Sequence, residues 1–125
     1  MEFKKGTAYT RQEIREIVGG GSVQNAMPIK DGRVLCVCLS QPWDIDAPRV
    51  VLVGAGPSVQ KEAEMFCSQN TAVPFFYKKT ANLWEYVGDF KPERWSDDPG
   101  DVRGFAQSSG RINLTKVIFL HEAAS

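Results

Sequence analysis

Apolar positions along the chain alternate between helical spacing and short strand-sized runs. In "YTRQEIREIVGGG", Ile14, Ile17 and Val18 form an apolar stripe at helical spacing. Thr10 and Glu13 stand in the S/T-x-x-E relation, in which each side chain satisfies a free backbone N–H of the first turn. Gly19 to Gly21 end this helix, because glycine takes the left-handed C-cap conformation without steric cost. A second helix is predicted after "RVVLVGAG", capped by Ser58 and running to about Gln69, with Val59, Ala63, Phe66 and Cys67 on one stripe.

Between and after these helices the pattern changes to β-branched and aromatic runs. "RVLCVCLS" (Arg33 to Ser40) follows the turn signal "KDG" and reads as a buried strand. "RVVLVGAG" is a second strand, reached through the Pro-bounded loop "QPWDIDAP". "VPFFYKK" and "LWEYVGDF" flank "TAN", a connection short enough for a β-hairpin. "SDDPGDVRG" reads as a turn-rich surface loop, and "RINLTKVIFLHE" as a last strand. Gly88, inside the second hairpin arm, marks a bulge or a close approach. The order helix, strand, strand, helix, hairpin, strand predicts an α+β fold with a twisted, mixed or largely antiparallel sheet and two flanking helices. Strands this numerous tend to curl towards a barrel, which hides their edges.

Length and composition fit one domain over residues 1–125. At 125 residues the chain can bury one substantial core, and 42% hydrophobic with 24% charged residues is ordinary for a globular protein. No apolar run approaches the roughly 18 residues of a membrane span. "MEFKKGTAY" has no apolar segment after its charges, so no secretory signal is read there. The three cysteines, Cys36, Cys38 and Cys67, are read as packed thiols of a reducing, cytoplasmic protein. With His121 the single histidine, they offer no metal-binding spacing, and no metal or cofactor is expected. Fifteen basic and fifteen acidic residues cancel, so any nucleic-acid contact has to rest on a local patch.

Enzymatic motifs are weak. Gly54 and Gly56 form a lone G-x-G between a strand and a helix; the third glycine of a dinucleotide fingerprint is replaced by Val59. A tight turn explains the pair. No nucleophile elbow or family-spaced Cys/His pair occurs. Asp44 and Asp46, or Asp97, Asp98 and Asp101, lack the glycine and terminal glutamate of a calcium loop and read as solvated acids. The chain is read as leaning away from catalysis.

The aromatic set carries more. Two-residue alternation puts Trp84 and Tyr86 on one face of their strand, and Phe75 and Tyr77 on one face of theirs. One face belongs to a core. Aromatics outside it, or Trp43 in its loop, would suit the stacking of a base.

"FKKGTAYTRQEIREIVGGG", "VVLVGAGPSVQKEAE", "VPFFYKK" and "WEYVGDFK" together resemble the SRA-like domains of modification-dependent restriction systems, within the PUA-like group. Gly6, Tyr9, Arg11 and Ile14 match the G-x-x-Y-x-R-x-x-I start, and Trp84, Tyr86, Gly88 and Phe90 the y-x-Y-x-G-x-[FY] strand. The resemblance spans about residues 3–95. It implies a barrel-like sheet with flanking helices, and recognition of a modified base flipped from DNA into an aromatic pocket. Trp84 and Tyr86 would stack the base, with Tyr9 beside them and Trp43 as a lid. Asp44 or Asp46 would accept the exocyclic amine of cytosine. Arg11, Arg15, Lys78 and Lys79 would hold phosphates, as would backbone N–H groups of Gly19, Gly20 and Gly21 acting as an anion nest. No nuclease accompanies these motifs, so standing alone the domain would be a reader that delivers a partner nuclease or other protein or competes with one. It would equally suit a piece of a longer protein. RNA is the nearest alternative ligand. The rival classes are a protein-interaction domain anchored by Trp43 and Trp95, and a small enzyme using His121 or the Asp44/Asp46 pair.

Overall fold

The computed structural model describes residues 3–20, 27–39, 50–109 and 113–123. Helix α1 (Arg11–Val18) has the capping predicted for it. The Thr10 hydroxyl accepts from the Glu13 N–H at 3.1 Å, and the Glu13 carboxylate accepts from the Thr10 N–H at 2.9 Å. Gly19 closes the helix at φ 92°.

The remaining elements are β1 (Ala8–Tyr9), β2 (Ile29–Lys30), β3 (Arg33–Val34), β4 (Val37–Leu39), β5 (Val50–Val53), α2 (Pro57–Gln69), β6 (Val73–Thr80), β7 (Leu83–Ser96), α3 (Pro99–Ser109) and β8 (Lys116–Glu122). The main sheet is six-stranded in the order β4-β6-β7-β8-β5, with β1 added beside β7. β4 runs parallel to β6 and the other described pairings are antiparallel, so the sheet is mixed. The described pairings run from β4 to β5 without closing on themselves, so closure into a barrel is not among them.

Three expectations need correction. The segment "SDDPGDVRG" is not a loop: it opens α3. Pro99 sits at the helix start, where its missing N–H costs nothing, and the Asp98 carboxylate accepts from the N–H groups of Gly100 (2.9 Å) and Asp101 (3.3 Å). α2 begins at Gly56 and Pro57, not at Ser58, and Val59 is 43% exposed outside the buried stripe of Ala63 and Phe66. The predicted 33–40 strand is broken into β3 and β4 around Leu35 and Cys36.

Strand alternation here feeds a core on each face of the sheet. Val37, Leu39, Phe75, Phe90, Val51, Val53 and Ile118 pack under Ala63 and Phe66 of α2. On the opposite face, Cys36, Cys38, Phe76 and Trp84 pack under Ile14 of α1, with Phe3, Tyr9, Val18 and Tyr86 around them. Fully burying one such large side chain contributes roughly 1.5–3 kcal/mol. The second cluster therefore fixes α1 to the sheet and positions the residues of interest.

Candidate functional site

The hairpin of β6 and β7 builds the site. Its register pairs Phe76 with Tyr86 and then Phe75 with Gly88, which leaves Val87 as an extra residue. This is a β-bulge, and it changes which side of the sheet β7 addresses. Trp84 and Tyr86 belong to the cluster under α1, whereas Val87 and Phe90 pack on the α2 side. Gly88 takes φ 132°, and a Cβ there would lie 2.8 Å from Glu122 Oε2 and 3.1 Å from Lys5 Cε. The Lys5–Glu122 ion pair thus crosses directly over the bulge. Gly88 adjoins the bulge, and what approaches it closely is a pair of side chains, Glu122 and Lys5.

Trp84 is 9% exposed. The Arg11 guanidinium carbon lies 5.1 Å from its ring centroid and the Lys78 ammonium 5.9 Å, so two cations gather on this indole. Trp84 therefore forms the wall beneath α1 and is no open stacking platform. Tyr86 shares its face, as alternation predicts, but remains half-buried. Its hydroxyl donates to Asp89 Oδ1 at 2.6 Å. Tyr9 sits in the same aromatic group, its phenol oxygen accepting from the Lys4 N–H at 2.9 Å.

The remaining predicted residues divide. Lys79 is ion-paired with Glu85 at 2.7 Å and Arg15 lies exposed in the last turn of α1. Gly19 and Gly20 do not form an anion nest. Both their N–H groups donate to the Arg15 carbonyl, at 3.1 and 2.9 Å, and the Gly19 carbonyl accepts from Lys30 Nζ at 2.7 Å. A helix C-terminus is the negative end of its dipole and draws a lysine, not a phosphate. Gly21, Trp43, Asp44 and Asp46 lie outside the described residues.

Sequence reasoning missed Phe3, whose ring packs against Tyr9, Phe76 and Tyr86. A single phenylalanine beside two lysines carries no periodic signal. The thiols of Cys36 and Cys38 are 0% and 2% exposed in the same cluster. The neighbouring Cys36 thiol and the charge of Arg11 outweigh burial and hold the Cys38 thiol below its ordinary value. The neighbouring Cys38, together with burial, pushes the Cys36 thiol up. Among the described residues, no three His, Cys, Asp or Glu side chains gather as metal ligands, and Asp98 and Asp101 are engaged at the start of α3. No described helix is long and apolar enough to cross a membrane.

No family model matches this sequence, and no curated protein matches it. By structure, the chain is similar to the SRA domain of SUVH5, solved in complex with hemi-methylated CG DNA. The match covers 100% of this chain and 90% of that one, with a TM-score of 0.62 and 14% sequence identity. The fold implied by the motifs therefore holds at the level of the backbone, without a closed barrel among the described pairings: the chain has an SRA-like α+β fold.

Proposed function

We propose that this chain is a DNA-recognition module that reads a modified base extruded from the duplex. The observation that carries the reading is the match over the whole chain to an SRA domain solved on hemi-methylated DNA. Extraction of a base costs a few kcal/mol, which stacking and edge contacts must offset. The half-buried Tyr9 and Tyr86 supply aromatic surface for this beside Phe76, and Trp84 backs them as a rigid wall. Arg11 and Lys78, drawn together on the Trp84 ring, supply positive charge on the same face for phosphates of the flanking strand. Such a local pair suits a chain of zero net charge. A modification-reading module of this kind, acting inside the cell, would direct a nuclease to modified DNA, as in restriction systems.

A second reading rests on Trp95, which is 49% exposed with the Lys116 ammonium 4.3 Å from its ring centroid. Exposed tryptophans anchor protein interfaces, and Trp95 would serve a protein partner.

Titration against duplexes with and without modified cytosine, at two salt concentrations, tests the first reading. Preference for the modified duplex is expected, with affinity falling as salt rises; two phosphate contacts give a log–log slope near −2. Affinity indifferent to both modification and salt would sink it.

A further inference from the structure

The Phe3 ring is held as a flat guest would be. Its centroid lies 5.5 Å from that of Tyr86 with the planes 31° apart, a tilted contact. Tyr9 meets it edge-on at 5.1 Å and 79°, and Phe76 at 4.7 Å and 84°. One tilted and two edge-to-face contacts within this range are favourable ring geometries, and together they surround a planar group on three sides. Phe76 is the floor, 0% exposed, while Tyr9 and Tyr86 are half-buried walls carrying hydroxyls.

The segment bearing Phe3 is lightly fastened. Residues 4–7 are exposed, and Gly6 turns the chain at φ 83° with open space where a Cβ would stand. Gly6 N–H donates to the Tyr86 carbonyl at 3.1 Å, and Tyr86 N–H donates to the Thr7 carbonyl at 3.0 Å. The exposed Lys5–Glu122 ion pair adds a contact that salt weakens. The Thr7 N–H also donates to the Lys4 carbonyl at 3.0 Å. A short exposed segment held by single hydrogen bonds and a surface ion pair sits at the low-stability end of local opening.

We infer that Tyr9, Phe76 and Tyr86 form a binding site for a pyrimidine ring, and that Phe3 occupies that site in the free protein. The inference rests on the base-reading function proposed above and narrows it. A phenyl ring and a pyrimidine are both single six-membered rings; a purine is larger than the space Phe3 vacates. Departure of the Phe3 segment also releases the Tyr9 phenol from the Lys4 N–H, freeing it for a base edge. Because the guest competes with Phe3, the measured dissociation constant is the intrinsic one divided by the open fraction.

The test compares the native chain with Phe3→Ala, on short duplexes carrying one 5-methylcytosine, one N6-methyladenine or neither. Circular dichroism and thermal melts establish that both proteins are folded at the assay temperature. Phe3→Ala is expected to bind the 5-methylcytosine duplex roughly tenfold more tightly, about 1.4 kcal/mol, with no such gain on the other two. In the native protein, binding should speed amide exchange at Gly6 and Tyr86, because the segment they tie down leaves. That measurement needs no variant and stands even where Phe3→Ala melts. Tight, selective binding with Gly6 and Tyr86 protected, or with no gain from a folded Phe3→Ala, overturns the inference and leaves base reading intact. An equal gain on the N6-methyladenine duplex overturns the pyrimidine assignment. Failure of both proteins to distinguish modified from plain duplex overturns the inference together with the reading beneath it.

Discussion

Arg11 holds its guanidinium carbon 5.1 Å from the centre of the Trp84 ring, joining the first turn of α1 to β7. The contact spans two elements far apart in sequence, and it closes the cluster in which Ile14, Cys36, Cys38 and Phe76 are buried. Its energetic worth is about 0.5–2 kcal/mol, depending on how dry the pair is. It holds α1 over an indole that strand alternation already turns towards the protein.

Trp84→Ala is accordingly expected to cost stability first. Emptying a nearly buried indole site removes roughly 3–5 kcal/mol, a large part of the total for a domain of this size. Urea denaturation followed by circular dichroism should show the midpoint falling well below that of the native chain. Trp84→Phe should lose much less. A Trp84→Ala protein of native stability would show that α1 does not need this wall.

Tyr86 separates binding from stability better. Tyr86→Phe removes the 2.6 Å hydrogen bond to Asp89 and should cost about 0.5–1.5 kcal/mol of stability in the same assay. Tyr86→Leu keeps apolar volume but loses the stacking face. Its affinity for a modified duplex should fall by the equivalent of roughly 1–3 kcal/mol, read as a rise in Kd by fluorescence anisotropy.

Gly88→Ala tests the bulge. At φ 132° an alanine is strained, and its Cβ would press on Glu122 Oε2 at 2.8 Å. Strain of about 1–3 kcal/mol is expected. Pairing the change with Glu122→Ala should recover the crowding share and leave the backbone share, which a double-mutant cycle measures.

The cysteines predict a reactivity order. Cys67 is half-buried, and burial pushes its thiol up against the opposing charge of Lys116. It should react with a disulfide reagent at pH 8 more slowly than a free cysteine, and faster as pH rises towards its elevated pKa. Cys36 and Cys38, at 0% and 2% exposure, should react only on opening of the α1 face. Two resolved kinetic phases in native buffer, collapsing to one in denaturant, are the expected result.

How much of this was legible in the sequence varies by element. The ends of α1 follow from Thr10, Glu13 and Gly19, whose side-chain and backbone chemistry is local. Gly88 was legible for the same reason. α3 was misread because Asp98, Pro99 and Gly100 are equally good turn and helix-start residues; only the tertiary setting against β8 chooses, where Phe105 meets the Phe119 ring at 5.8 Å. Alternation placed Trp84 and Tyr86 on one face correctly, but nothing in the spacing says that a sheet is covered on both sides. That depends on α1 and residues 3–9 folding back over it, a long-range event. Gly19 and Gly20 misled because a C-cap spends their N–H groups internally, a consequence of geometry and not of composition.

β4 lies parallel to β6, yet β5 and α2 come between them along the chain. The β6–β7 arms meet through the tight turn at Ala81 and Asn82 and can zip within about 1–10 μs, as hairpins do. Val37 must instead wait for Phe75, and the entropy of closing that connection is lost before any contact repays it. Cys36 and Cys38 travel with this strand, so the surface beneath α1 cannot dry before that connection closes.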